Sequence, residues 1–195
     1  MLENIVERAD YWQHHLSPYL DRHDLSDSIP YPYDGMEHLF DGKDVLEVGP
    51  GRGRQYQRLK GRVRSYSVCD IVALDPDIFG GADGRYVISS YSSDLGTEFD
   101  VVHFWYVLHH VRTDELADFF RFLARHLEYG GVAVFNTPWL GNPRGWYVGD
   151  GIGTTYIGVR EVEDNSRKWF RVLRCSKVDE RSNGYVFVLR KVNEV

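Results

Sequence analysis

Short apolar runs separated by polar or glycine-rich breaks set the rhythm of this chain. Residues 3–16 place Ile5, Trp12 and Leu16 at helical spacing around Ala9, and Pro18 stops the pattern. The stretch "HDLSDSIPYPYDGME" follows as a loop holding Pro30, Pro32 and Gly35. From residue 43 strands and helices alternate. "DVLEVG" predicts a buried strand and "RQYQRLK" a short helix. "VRSYSVCD" predicts a second strand ending at Asp70, and "DPDIFGGADG" a loop or helical turn. "RYVISS" predicts a third strand, and the apolar run "DVVHFWYVL" a fourth, ahead of "HHV". The strongest helical pattern is "TDELADFFRFLARHLEYGG", with Thr113 as N-cap and Leu116, Phe119, Phe120, Leu123 and Leu127 as its stripe. Gly130 and Gly131 are expected to stop it, before a fifth strand in "VAVFNTP".

Strands that alternate with helices predict an α/β fold, doubly wound around a mostly parallel sheet. The last quarter reads differently. "REVEDNSRKWF" predicts a helix, and "FRVLRCSKV" and "YVFVLRKV" predict two strands. Asn183-Gly184 between them signals a hairpin, so the sheet should end in an antiparallel pair.

Composition narrows this picture modestly. A chain of 195 residues fits one domain. We divide it into an N-terminal helix and lid (1–40), a core (41–137), a loop (138–158) and a last helix with hairpin (159–195). The net charge of −6 argues against a nucleic-acid backbone as partner. The basic run Arg52, Arg54, Arg58, Lys60, Arg62 and Arg64 runs against that bias, but reads as the solvated face of one short helix and its exit. Cys69 and Cys175 lack metal-binding or disulfide spacing and are expected as two buried thiols in a reducing compartment. No apolar run is long enough to cross a membrane, and the acidic first residues lack a leader's apolar region. A cytoplasmic protein is expected.

The chemistry concentrates in "VLEVGPGRGRQ", residues 45–55. In wound α/β sheets ligands bind beyond the carboxyl ends of the strands, and the first strand-to-helix turn is the usual place. Gly49, Gly51 and Gly53 occupy alternate positions there, whereas a dinucleotide turn reads G-x-G-x-x-G. A nicotinamide cofactor is therefore disfavoured. Glu47 precedes the glycines, and a carboxylate attracts an ammonium rather than a pyrophosphate. Asp70 closes the second strand, where a carboxylate can accept both hydroxyls of a ribose. A phosphate-free nucleoside with a cationic amino-acid tail satisfies both acids, and S-adenosylmethionine is such a molecule.

The motif resembles the E/D-x-G-x-G-x-G signature of the class I S-adenosylmethionine-dependent methyltransferases. Asp70 is similar to that family's second-strand acid. "FDVVHFWYVLHHV" resembles its fourth-strand motif, and "FLARHLEYGGVAVFNTP" its fifth, with Tyr129 where proline is usual. The resemblance is strong over roughly residues 40–137 and implies a Rossmann-like fold and an S-adenosylmethionine cofactor. It implies that Glu47, Gly49, Pro50, Gly51 and Gly53 hold the methionine end. Asp70 would hold the ribose and Ile71 would pack on the adenine. Ser89 and Ser90 stand where the family usually has an acid for the adenine amine, and Phe104 is placed at the cofactor as well.

Methyl transfer needs positioning and a place for the acceptor's proton. The chain lacks the Asn/Asp-Pro-Pro-aromatic motif of amide and base-amino methyltransferases. It has no Pro-Cys nucleophile, and no acid at the end of the fourth strand to hold a metal. That leaves an oxygen or nitrogen of a small molecule as acceptor, with His109 and His110 as candidate bases. Tyr11, Trp12 and His15 of the first helix, and Trp139, Arg144, Trp146 and Tyr147 of the glycine-rich loop, are candidate acceptor contacts. No metal site is expected. The alternatives are a methyltransferase-like binding subunit without turnover, and an RNA methyltransferase.

Overall fold

In the computed structural model the described residues are 8–14, 33, 35–137, 146–149, 152–155, 157–177 and 184–195, the segments 146–149 and 152–155 by backbone only. Two compact units divide the chain, Met1–Ser90 and Tyr91–Val195.

In the first unit residues 8–14 form a helix, α1. Strands β1 (Asp44–Val48), β2 (Ser65–Asp70) and β3 (Gly84–Val87) run parallel, as their sequences predict. Val45, Leu46, Val48, Tyr66, Val68 and Cys69 are buried, the near-continuous apolar pattern of strands covered on both faces. The short helix α2 (Arg54–Leu59) sets the Tyr56 ring edge-on to Tyr66 at 5.2 Å and beside Phe79 at 5.6 Å. Helix α3 (Pro76–Phe79) is one turn, started by Asp75, whose Oδ1 accepts the Asp77 N–H at 2.9 Å. The Ala73 N–H just before it donates to Gln13 Oε1 of α1 at 3.4 Å.

In the second unit β4 (Phe99–Phe104) and β5 (Leu127–Thr137) are parallel. Helix α4 (Leu116–Arg125) lies between them in the chain and buries Leu116, Phe119, Phe120 and Leu123 as expected. Each such side chain contributes about 1.5–3 kcal/mol on leaving water. The antiparallel strands β6 (Trp146–Gly149) and β7 (Ile152–Thr155) pair with each other and precede helix α5 (Val159–Ser166). A stretch expected as a glycine-rich loop thus contains a two-stranded ribbon. The predicted antiparallel pair is present as β8 (Phe170–Lys177) and β9 (Tyr185–Lys191), with β9 also antiparallel to β5. Asn183 of the predicted hairpin turn lies outside the described residues. The strands of the main sheet follow the order β3-β2-β1-β4-β5-β9-β8.

Three further expectations need correction. Thr113 does not cap α4; it opens a 3-10 turn (Thr113–Glu115) and makes no side-chain capping bond. Helix α4 also stops at Arg125, well before the two glycines. His126 ends it: the Leu95 N–H donates to Nε2 at 3.0 Å, so Nδ1 carries the hydrogen and donates to Phe122 O at 2.8 Å. Leu127 then pairs with Phe99, and Gly130 and Gly131 lie within an irregular stretch of β5. A Cβ at Gly131 would lie 2.9 Å from the carbonyl oxygens of both Asp100 and Glu128, so the glycine permits close strand approach. Finally, Cys69 is buried but Cys175 is exposed on β8.

Candidate functional site

Strand β1 ends at Val48 and α2 starts at Arg54, leaving five residues to reverse the chain. Gly49, Gly51 and Gly53 have φ of 66°, 54° and 73°. A side chain at such angles costs about 1–2 kcal/mol, which explains glycine at every second position. The turn is stitched by Gly49 N–H to Cys69 O at 2.8 Å and by Gly53 N–H to Pro50 O at 2.9 Å. Its two ends differ. A Cβ on Gly53 would stand 2.7 Å from Ile78 Cγ2 and 3.1 Å from Phe79 Cε1, whereas one on Gly51 would meet nothing within 4 Å. The turn is packed where it enters α2 and open at its crest. Pro50, just before the crest, is buried.

Two acids flank this turn. Glu47 is buried and accepts the Tyr66 hydroxyl at Oε2, 2.8 Å away, as well as the Tyr56 backbone N–H. Its carboxyl therefore braces the first turn of α2 from within. Burial pushes its pKa up to about 8, with the Asp70 charge adding to the effect and the two hydrogen bonds opposing it. Asp70 ends β2 directly beside the turn, because Val48 pairs with Cys69 in the parallel register. Its Oδ1 accepts the N–H groups of Ile71 at 2.6 Å and Val72 at 3.4 Å. Loss of water raises its pKa to about 6 against those two bonds. Ile71 and Ser90 are half-buried and Ser89 is exposed.

The second unit holds the predicted bases. Strand β4 ends in a bend whose Tyr106 has φ of 59°, unusual for a bulky residue. The side chain of Asn136, buried in β5, fixes it by accepting the Tyr106 N–H at Oδ1, 2.8 Å away. A 3-10 turn then carries Leu108–His110. His109 is 6% exposed, its ring lies 3.9 Å from that of His110, and its Nδ1 is buried with no hydrogen-bond partner among the described residues. Burial first and the His110 charge second hold the His109 pKa well below the ordinary range, so the imidazole is neutral. The backbone of β7 packs against this turn. Phe104, expected at the cofactor, is a core residue. It is fully buried, stacked on Phe135 at 4.6 Å and edge-on to Phe119 at 5.3 Å.

Of the expected acceptor contacts, Tyr11 and Trp12 are half-buried on α1, edge-to-face at 5.9 Å. His15, Trp139 and Arg144 lie outside the described residues, as do the side chains of Trp146 and Tyr147, whose backbone belongs to β6. The basic run is partly neutralised. Arg62 makes a bidentate pair with Asp41 and Arg64 with Asp44. Among the described residues no three His, Cys, Asp or Glu side chains group to hold a metal ion, and no helix is long and apolar enough to cross a membrane.

Tyr66 and Gln55 beside the glycine turn, and Asn136 at the second unit's bend, emerge through structure rather than through sequence pattern. Asn136 alone leaves a signal, a polar residue inside the apolar strand "VAVFNT". Tyr66 is indistinguishable from a core aromatic until its hydroxyl is seen on Glu47.

An α/β sheet carrying an open glycine turn beside a strand-closing acid is the architecture of a methyltransferase domain. Residues 13–182 match the family model described as "Methyltransferase domain", and the chain belongs to that family. Its fold is shared with the DhpI–SAH complex, 16% identical over 98% of each chain, TM-score 0.75. It is also shared with the Burkholderia thailandensis 1,6-didemethyltoxoflavin-N1-methyltransferase, crystallised with bound 1,6-didemethyltoxoflavin and S-adenosylhomocysteine. That protein is 18% identical over 96% of this chain and 88% of its own, TM-score 0.77. The [4+2]-cyclase SpnF is similar too, 12% identical over 98% of this chain and 97% of its own, TM-score 0.72. No curated protein matches the chain in sequence.

Proposed function

We propose that this protein binds S-adenosylmethionine and transfers its methyl group to an oxygen or nitrogen of a small molecule. The observation that carries this is the turn itself: three alternate left-handed glycines, open at Gly51, beside Asp70. An open backbone cradle next to an acid suits a cofactor without phosphates. Similar folds crystallised with S-adenosylhomocysteine support the same choice.

In this reading Gly49, Pro50, Gly51 and Gly53 offer backbone to the methionine end, and Glu47 keeps the turn in shape. Asp70 takes the ribose hydroxyls, and Ile71 covers one face of the adenine. Ser89 and Ser90 accept from the adenine amine, as neutral acceptors in place of a stronger carboxylate. The cofactor supplies an electrophilic methyl on a sulfonium, whose departure leaves a neutral thioether. The remaining demand is a proton, and His109 meets it. Its Nδ1 is buried, neutral and unpartnered among the described residues, so it is ready to accept an O–H or N–H from the acceptor. His110 packs on that ring and holds it in place.

A second reading keeps the fold without methyl transfer. The exposed Ser89 at an adenine-binding position favours it, and SpnF carries this fold as a cyclase. Calorimetry with S-adenosylmethionine, S-adenosylhomocysteine and NAD tests the cofactor. Both sulfur ligands should bind, NAD should not, and Asp70→Ala should weaken the sulfur ligands at least tenfold. Equal affinity of Asp70→Ala and wild type would overturn the Asp70 assignment. Absence of sulfur-ligand binding would overturn the function.

A further inference from the structure

The sequence points Glu47 at the cofactor's ammonium, yet its carboxyl is occupied inside the protein by the Tyr66 hydroxyl and the Tyr56 N–H. A different side chain beside the same turn carries an unmet hydrogen-bond demand. Gln55 is the second residue of α2, two positions after Gly53. It is 4% exposed, and its Oε1 is buried with no hydrogen-bond partner among the described residues. Buried carbonyl oxygens are nearly always paired, and leaving one unpaired costs about 1–3 kcal/mol. The other buried residues of α2 show no such deficit: Leu59 is fully buried carbon, and the Tyr56 ring packs on Tyr66 and Phe79. A helix this short could bury an apolar residue at position 55 at no polar cost.

We infer that Gln55 is a cofactor-contacting residue whose Oε1 accepts a hydrogen bond from the ammonium of the amino-acid end of S-adenosylmethionine. The inference rests on the cofactor reading above. Its chemistry is one-sided. A carbonyl oxygen only accepts, so the missing partner must be a donor, and the amino-acid end that the glycine turn is proposed to hold carries an ammonium with three N–H bonds. The roles then divide. Glu47 braces the turn from within, and Gln55 reads the ligand. A neutral amide does this without adding a third carboxyl to the Glu47–Asp70 pair.

The test compares two ligands, S-adenosylhomocysteine and 5′-methylthioadenosine, which shares the nucleoside and sulfur but lacks the amino-acid end. Each is titrated by calorimetry into wild type, Gln55→Leu and Gln55→Glu, and the ligand-free melting temperature of each is recorded. Gln55→Leu should weaken S-adenosylhomocysteine about tenfold or more, leave 5′-methylthioadenosine within twofold, and leave the ligand-free melting temperature unchanged or raised. Gln55→Glu keeps an acceptor and should hold S-adenosylhomocysteine within threefold of wild type. That variant preserves the test should Gln55→Leu fail to fold, since tenfold weakening of S-adenosylhomocysteine in it would overturn the assignment. Unchanged S-adenosylhomocysteine affinity in Gln55→Leu would show the amide satisfied by water or protein and overturn it. So would equal losses for both ligands, which mark a merely structural role. A wild type that binds neither ligand would instead overturn the cofactor reading on which the inference stands.

Discussion

The two units hide opposite kinds of titratable group. In the first, burial pushes acids up: Glu47 to about 8 and Asp70 to about 6. In the second, burial pushes imidazoles down: His103 to about 3, and His109 well below the ordinary range. Both effects have one cause, the loss of water around a charge. Their consequences differ. In the first unit burial disfavours the charged form of two carboxyls. The second holds a neutral nitrogen that can take a proton.

The contrast breaks most visibly against pH. The folded Glu47 has a pKa near 8 where an ordinary glutamate has 4.5. The unfolded chain therefore loses this proton first as pH rises. Stability from Glu47 is full below about pH 4.5 and drains away up to about pH 8. At about 1.4 kcal/mol per pH unit, the loss across that span is at most roughly 5 kcal/mol. Glu47→Gln, which still accepts the Tyr66 hydroxyl, should flatten this limb in urea melts between about pH 5 and 8. His103 has the opposite sign. Its folded pKa of about 3 lies below the ordinary 6.5, so its stability is complete above pH 6.5 and falls as pH drops toward 3. His103→Gln should flatten the acid limb and leave the alkaline one alone. If both variants flattened the same limb, the contrast between the units would be wrong.

Backbone conformation gives the next effect. Gly53→Ala adds a left-handed side chain and a Cβ that meets Ile78 at 2.7 Å. The two penalties together predict a loss of roughly 3 kcal/mol by urea denaturation. A loss below about 1 kcal/mol would mean that α3 yields easily. The smallest effect belongs to the second unit's own left-handed residue. Asn136→Ala removes the acceptor of the Tyr106 N–H and should lower stability by about 1 kcal/mol. Exchange of the Tyr106 amide should accelerate in the same variant. An unchanged exchange rate would show that the bend holds without Asn136.

Much of the first unit is legible in advance. Strands β1 and β2, the short α2 and the spacing of its glycines follow from apolar runs and from a φ preference that acts within one residue. That legibility ends where distant residues intervene. The apolar stripe carries α4 on toward Gly130 because Leu127 fits it, yet His126 binds back to Phe122 and across to Leu95 and ends the helix early. Phe104 has the right place on its strand for a ligand contact, but Phe119 and Phe135 close around it. The run of bases reads as the solvated face of a short helix and its exit, and only the structure shows Asp41 and Asp44 pairing with two of its arginines.

Local rules thus decide the alternation of strands and helices, the family signature and the left-handed turn, since each depends on neighbours a few positions apart. Packing between residues far apart in the chain decides the rest: that Glu47 is a brace, that Gln55 and His109 keep unpaired buried atoms among the described residues, and that burial raises the pKa of Glu47 and lowers that of His109. Burial and partnership are properties of assembled neighbours, and one-dimensional order carries no measure of either.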